Sequence, residues 1–343
     1  MTEKGRVATI AMCLAALVGA REAAAQQAPS GGPRLTITVG TPPGGGYDSY
    51  GRLVARHLGA HLPGNPAIVV QNMPGAGSLI AANWLANSAP KDGTAIATLP
   101  NGTIFEALLG NRSAHFDARK INIIGSLNYY GSIGAVWHTT PFLTTRDFVT
   151  SEVLVGASAA NSNNSVAPNL LNSLMGTRFR IVNGYPGSSG IDLAMERGEV
   201  QGQVGPDYDF MKATHPAWVR DKKVRLLLQV SLKRHPDLPD VPTAMELVGE
   251  KNRDVLALLI GRQTYGGMFM APPGVPAPAI EALRQAFDRM VNDADFRRDA
   301  EKGNLALNTA SAAEVEATIN RLLSSAPEVI ERATTELRRI DPQ

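Results

Sequence analysis

The chain has 343 residues and carries 33 lysines and arginines against 31 aspartates and glutamates, a net charge of +2 with neutral histidines. So even a balance excludes the basic field of a nucleic-acid-binding surface. The length suffices for two lobes of ordinary domain size, each with its own core, and the single cysteine, Cys13, excludes an internal disulfide.

At the start, Lys4 and Arg6 precede an apolar run over 7–20, and Ala23-Ala24-Ala25 before Gln26 meets the small-residue cleavage rule. These features predict a secretory signal peptide over 1–25, cleaved near Ala25, and a periplasmic mature protein. Arg21 ends the run short of the roughly 20 apolar residues that a bilayer span needs. A lipid-anchored start at Cys13 is disfavoured by the bulky Met12 before it. Cleavage removes Cys13, three cationic residues and two acidic ones, leaving a charge near +1 and no thiol for metal binding or nucleophilic attack. No second long apolar run follows, so no membrane span is expected.

Further along, Leu35-Thr36-Ile37-Thr38-Val39 alternates with β-branched residues and predicts a strand, and a helix is expected over 50–62, closed by Pro63-Gly64. A strand over 67–71, a helix over 78–88 closed before Pro90-Lys91-Asp92-Gly93, and a strand over 94–98 follow. This alternation predicts a parallel sheet with helices on its faces. A second set begins with a strand over 153–156 and runs through a polar loop over 158–164 and a helix near 168–175 into a strand over 179–182. The end is helical: Ile280, Leu283, Phe287, Met290 and Val291 share one face, and 312–323 and 327–340 read alike. No internal repeat is evident.

Two loops each join a strand-like run to a helix-like run: Thr41-Pro42-Pro43-Gly44-Gly45-Gly46-Tyr47-Asp48 and Asn72-Met73-Pro74-Gly75-Ala76-Gly77. Glycines let the backbone turn its N–H groups towards one point, and the following helix adds its positive end, so each loop suits an oxyanion. Asp48 sits at a helix start, where its carboxylate can cap N–H groups and hold the loop in shape. Neither nucleotide fingerprint is present, and Gly187-Ser188-Ser189-Gly190 runs into Ile191 where a nucleophile elbow needs glycine. His57 and His61 stand four apart, but no third metal ligand is suggested by spacing, and imidazoles suit a helix C-terminus. No catalytic residue, metal site or cofactor is expected.

Pro43-Gly44-Gly45-Gly46-Tyr47-Asp48 with Gly51-Arg52, Asn72-Met73-Pro74-Gly75-Ala76-Gly77, and Pro90-Lys91-Asp92-Gly93-Thr94 resemble the N-terminal signature of Bug-type solute receptors, the extracytoplasmic subunits of tripartite tricarboxylate transporters. Phe116-Asp117 with Ile123-Ile124-Gly125, the run from Arg234 to Thr243, and the run from Gly267 to Pro276 resemble later family blocks in the same order. Tyr47 departs from the pattern, which has a small residue there, and this leaves the ligand open.

The resemblance implies an α/β type II periplasmic-binding-protein fold with two lobes, a ligand cleft and two crossing segments, near 132–138 and 265–268. Lobe 1 would combine 33–136 with 268–343, and lobe 2 would span 137–267. Ligand contacts are expected from Gly44, Gly45, Gly46, Tyr47 and Asp48 of the first loop, from Pro74, Gly75, Ala76 and Gly77 of the second, and from Asn101. Across the cleft, Ser158, Asn161, Ser162, Tyr185, Gly187 and Asp207 are expected to close on the ligand, and Tyr129, Tyr130 and Tyr208 are further cleft candidates. The implied function is capture of a small organic acid, a carboxylate, by a monomer that delivers it to a two-component membrane permease, with ordered waters bridging carboxylate and loops. The alternative is a receptor that presents its ligand to a sensor protein.

Overall fold

The period-2 runs become strands of two separate sheets, and the glycine loops fall at strand ends. A computed structural model describes residues 34–129, 131–159 and 162–340; the expected signal peptide lies outside them. In chain order the strands are β1 (Arg34–Val39), β2 (Ala67–Asn72), β3 (Ala95–Thr98), β4 (Asn122–Tyr129), β5 (Ser132–Trp137), β6 (Val153–Gly156), β7 (Phe179–Val182), β8 (Gly202–Asp207), β9 (Val224–Val230), β10 (Tyr265–Ala271) and β11 (Ala310–Ser311). Helices of seven residues or more are α1 (Gly46–His57), α2 (Leu79–Asn87), α3 (Asn163–Met175), α4 (Gly187–Glu196), α5 (Tyr208–Thr214), α6 (Glu250–Gly261), α7 (Ala277–Val291), α8 (Ala294–Lys302), α9 (Ala312–Leu323) and α10 (Pro327–Ile340).

The first sheet runs β11-β4-β10-β3-β1-β2 and the second β7-β6-β8-β5-β9. One plan underlies both. Three parallel strands lie with the first of them in the middle, and an antiparallel strand sits beside the third: β10 against β3, and β5 against β8. The chain changes sheet between β4 and β5 and returns between β9 and β10. The expected lobe boundaries at 136 and 267 therefore fall inside β5 and β10. Those strands continue ladders that the sequence does not reveal, since an antiparallel partner arriving from the other lobe leaves no local signal.

The expected helix over 50–62 begins earlier, at Gly46, and its last turn tightens into a 3₁₀ turn over Leu58–His61. Likewise α3 starts at Asn163 and carries Pro168 inside it rather than at its start. α7 lies close on β4 because position 125 is glycine: a Cβ there would fall 2.4 Å from the Phe287 ring. One apolar cluster joins α1 and α7 across β1, β4 and β10, with Leu53, Val54, Phe269 and Phe287 at its centre. A larger one runs from α2 through α6 and α9 to Phe148 and Leu171 of the second lobe, so the lobes share buried apolar contact. Among the described residues no helix is long and apolar enough to cross a membrane. His57 and His61 each face an acid beside α8, His57 Nε2 at 3.0 Å from Asp299 and His61 Nε2 at 3.6 Å from Asp293.

Candidate functional site

The parallel strands β2, β1 and β3 end level with one another, Val39 opposite both Asn72 and Thr98, so the loops that leave them lie side by side. Loops beyond the carboxyl ends of parallel strands are where open α/β sheets hold ligands. Three loops meet here: 40–45 after β1, 73–78 after β2 and 99–102 after β3.

The first loop is shaped from behind by Asp48, which is 3% exposed. Its carboxylate accepts the Gly44 N–H at 2.8 Å, Arg52 Nε at 2.9 Å and Asn72 Nδ2 at 2.9 Å. The Arg52 hydrogen bond is the main reason that this carboxyl titrates at about 2, with Gly44 and Asn72 adding to it against the opposing effect of burial. The negative charge of Asp48 is thus already balanced by Arg52. Asn72 also donates to the Thr41 carbonyl at 2.9 Å, which ties the first loop to the second. Gly44, Gly45 and Gly46 are exposed, nothing lies within 4 Å of where a Cβ would stand on any of them, and no side chain caps the start of α1 at Gly45.

In the second loop four consecutive residues have positive φ: Gly75 at 129°, Ala76 at 46°, Gly77 at 61° and Ser78 at 73°. Two of them carry side chains, so the loop is strained, and strain of this kind persists only where the surroundings hold it. Part of the hold is the buried Ser78 hydroxyl, which donates to the Gly40 carbonyl at 2.7 Å. Pro74 to Gly77 stay exposed. From the third loop Asn101 accepts the Tyr47 hydroxyl at 2.7 Å, returns its own N–H to that oxygen at 2.9 Å, and donates its amide to the Gln263 carbonyl at 2.9 Å. Tyr47 therefore lies across the third loop. Below the loops, the buried hydroxyls of Thr41 and Thr98 have no hydrogen-bond partner among the described residues.

The second lobe repeats the device with different chemistry. Loops leave β6, β7 and β8 together: the Gly184 N–H reaches the Ser158 carbonyl at 3.1 Å and the Tyr185 N–H the Ala157 carbonyl at 3.2 Å. Asn164 plays the part that Asp48 plays opposite, its Oδ1 accepting the Ser158 N–H at 3.2 Å and the hydroxyls of Ser158 and Ser162. Gly187, at φ 72°, opens α4. Asp207 ends β8, accepting the Phe210 N–H at 2.9 Å and, at 3.3 Å, the N–H of Gly131 in the sheet-to-sheet connection. Burial raises its carboxyl to about 6, against the lowering effect of the Phe210 N–H, and Asp209 nearby adds to the rise. Asn161 and Tyr130 lie outside the described residues.

The expected residues that are described fall into two groups, one per lobe. Tyr129 and Tyr208 are buried in the cores, and Tyr185 packs half-buried on the second lobe. Sequence reasoning left out Gln263, took Asn164 only as the end of the polar loop over 158–164, and gave Arg52 and Asn72 no role beyond their place in the family blocks. The i, i+4 spacing of Asp48 and Arg52 could have exposed that pair; Asn72 needed the β1–β2 register, and Gln263 the return from the second lobe.

Comparison with known proteins matches residues 51–334 to the tripartite tricarboxylate transporter family receptor. A UPF0065 protein encoded between tcbD and tcbE in a Pseudomonas species is 27% identical over 267 residues, covering 75% of this chain and 73% of the relative. Another, from Bordetella bronchiseptica, is 26% identical over 276 residues, covering 79% and 76%. Among solved structures, a TctC solute binding protein from Polaromonas superposes with a TM-score of 0.69 at 20% identity, over 91% of this chain and all of that one (100%). MatC from Rhodopseudomonas palustris, solved with bound malate, gives 0.53 at 21% identity, over 90% and 100%. At such identities the structural likeness is one of fold, and that fold is the two-lobed one of periplasmic solute-binding proteins.

Proposed function

Because the chain belongs to the tripartite tricarboxylate transporter receptor family, we propose that it captures a small carboxylate outside the cytoplasmic membrane and delivers it unchanged to a two-component permease. The observation that carries this reading is the first loop: an exposed triple glycine at a helix start, fixed by an aspartate whose charge Arg52 already balances. Such a loop offers backbone N–H groups and a helix dipole to an oxyanion without presenting an uncompensated negative charge. The malate of the MatC structure is in keeping with that chemistry.

A micromolar complex needs about 8 kcal/mol, while a helix N-terminus contributes up to ~2 kcal/mol in favourable geometry. The first lobe alone therefore falls short. The loops of Ser158, Ser162 and Gly187 supply further donors when the second lobe closes, and closure expels water so that each hydrogen bond acts at lower dielectric. The buried Thr41 and Thr98 hydroxyls add donors beneath the loops, directly or through bridging water. Export follows the expected signal peptide over 1–25, and the receptor acts as a monomer.

Native mass spectrometry of periplasmic protein, prepared without refolding, tests the reading: a bound organic acid of low mass is expected, with a chain beginning near Gln26. A thermal-shift screen in which no mono-, di- or tricarboxylate stabilises the protein would overturn it.

A further inference from the structure

A cavity of about 170 Å³ lies between α3, α6 and α10, and none of the residues expected to bind ligand lines it. Its apolar walls are Val166, Ala167 and Leu170 on one face of α3, Val230 at the end of β9, Leu259 and Ile260 at the end of α6, and Leu337 of α10. Ser132, Asn163 and Gln263 form a polar part of the lining. The cavity is partly open to solvent and offers roughly ten times the room that one water needs.

Hydrogen bonding and chain connectivity link the cavity lining to both groups of loops. Gln263 gives its carbonyl to Asn101, which holds Tyr47 of the first loop. Asn163 opens α3 directly after the Ser158 to Ser162 loop, and its amide bonds the Ser132 hydroxyl at 3.1 Å and the Gly205 carbonyl. The one charged residue in the lining, Arg262, is engaged by Glu106 at 3.8 Å. The charge of Arg262 is thus already balanced by Glu106, and a hydrocarbon chain entering the cavity would meet six aliphatic side chains and an alanine.

We propose that the cavity is a tail pocket, and that the ligand is an amphipathic monocarboxylate whose charged end rests on the glycine loops while its unbranched chain lodges between α3, α6 and α10. This rests on the carboxylate reading above and narrows it to a substrate class. Calorimetric titration of the straight-chain acids from propanoate to octanoate tests it. Affinity should rise about fourfold per added methylene, the factor that corresponds to burying one CH₂. Val166→Phe and Leu337→Phe fill the pocket from opposite walls. In each variant, once circular dichroism shows it folded, the gain per methylene should collapse.

Acids that bind with no dependence on chain length would overturn the tail pocket while leaving the carboxylate site standing. So would a parallel weakening of the whole series in both variants, because a merely structural role lowers every member alike. If neither these acids nor any dicarboxylate or tricarboxylate binds, the carboxylate reading itself fails, and the tail pocket with it.

Discussion

Replacing Asp48 with asparagine removes the charge that organises the first loop while keeping the side chain's shape, so the variant mimics the protonated wild type. The wild-type carboxyl is lowered from 3.8 to about 2, chiefly by Arg52. A group with a depressed folded pKa stabilises the protein above its unfolded pKa, and that stabilisation disappears as pH falls through the folded value. At 1.36 kcal/mol per pKa unit the shift amounts to about 2.5 kcal/mol at pH 7. Arg52 is 48% exposed, and solvent screening of its end of the pair brings the expectation to roughly 1.5–2.5 kcal/mol. The same linkage leaves about half of that at pH 3 and a few tenths of a kcal/mol at pH 2. Urea unfolding of Asp48→Asn and wild type should therefore show a gap that is widest at neutral pH and closes between pH 4 and pH 2. A gap under about 0.5 kcal/mol at pH 7, the size of an ordinary surface substitution, or one that persists unchanged at pH 2, would refute the clamp.

Gly75→Val places a branched side chain at φ 129°, with its Cβ 2.5 Å from the Ile80 Cδ1; Ile80 is exposed and can move, so backbone strain of about 1–3 kcal/mol remains the main cost. Ligand affinity should fall more than tenfold in calorimetry while the protein stays folded, and wild-type affinity would remove the second loop from the site. Asp207 behaves oppositely to Asp48: its folded pKa is raised to about 6, so ionisation costs stability as pH rises through 4 to 6. Asp207→Asn should therefore match wild type near pH 4 and exceed it at pH 7.5 by at most about 3 kcal/mol, read from thermal unfolding, and a variant that is weaker at pH 7.5 contradicts this. Tyr47→Phe deletes both hydrogen bonds to Asn101 and should lower stability by about 1–2 kcal/mol in urea titrations; an unchanged midpoint would mean that the bridge contributes nothing.

The glycine loops were legible because they are local. A β-branched run, a cluster of Gly and Pro and an apolar helical face fix strand, turn and helix within about 20 residues, as for β1 and α1. The boundary at Pro168 failed for the opposite reason: the helix extends back to Asn163, whose amide bonds Ser132 and Gly205, contacts distant in sequence.

By itself the sequence determined two α/β units, the glycine loops at strand-to-helix turns, and the family resemblance that the family match bears out. Tertiary structure alone decided that both sheets set three parallel strands and an antiparallel neighbour in the same order, that β5 and β10 lie wholly in opposite sheets, and that Asn72, Asn164 and Gln263 hold the loops. The physical reason is range. Side-chain alternation and turn chemistry act between neighbours in the chain, whereas the Asp48 to Asn72 bond waits on the β1–β2 register, and the place of β10 in the first sheet and the cavity between α3, α6 and α10 join segments that meet only after the backbone has crossed between the sheets.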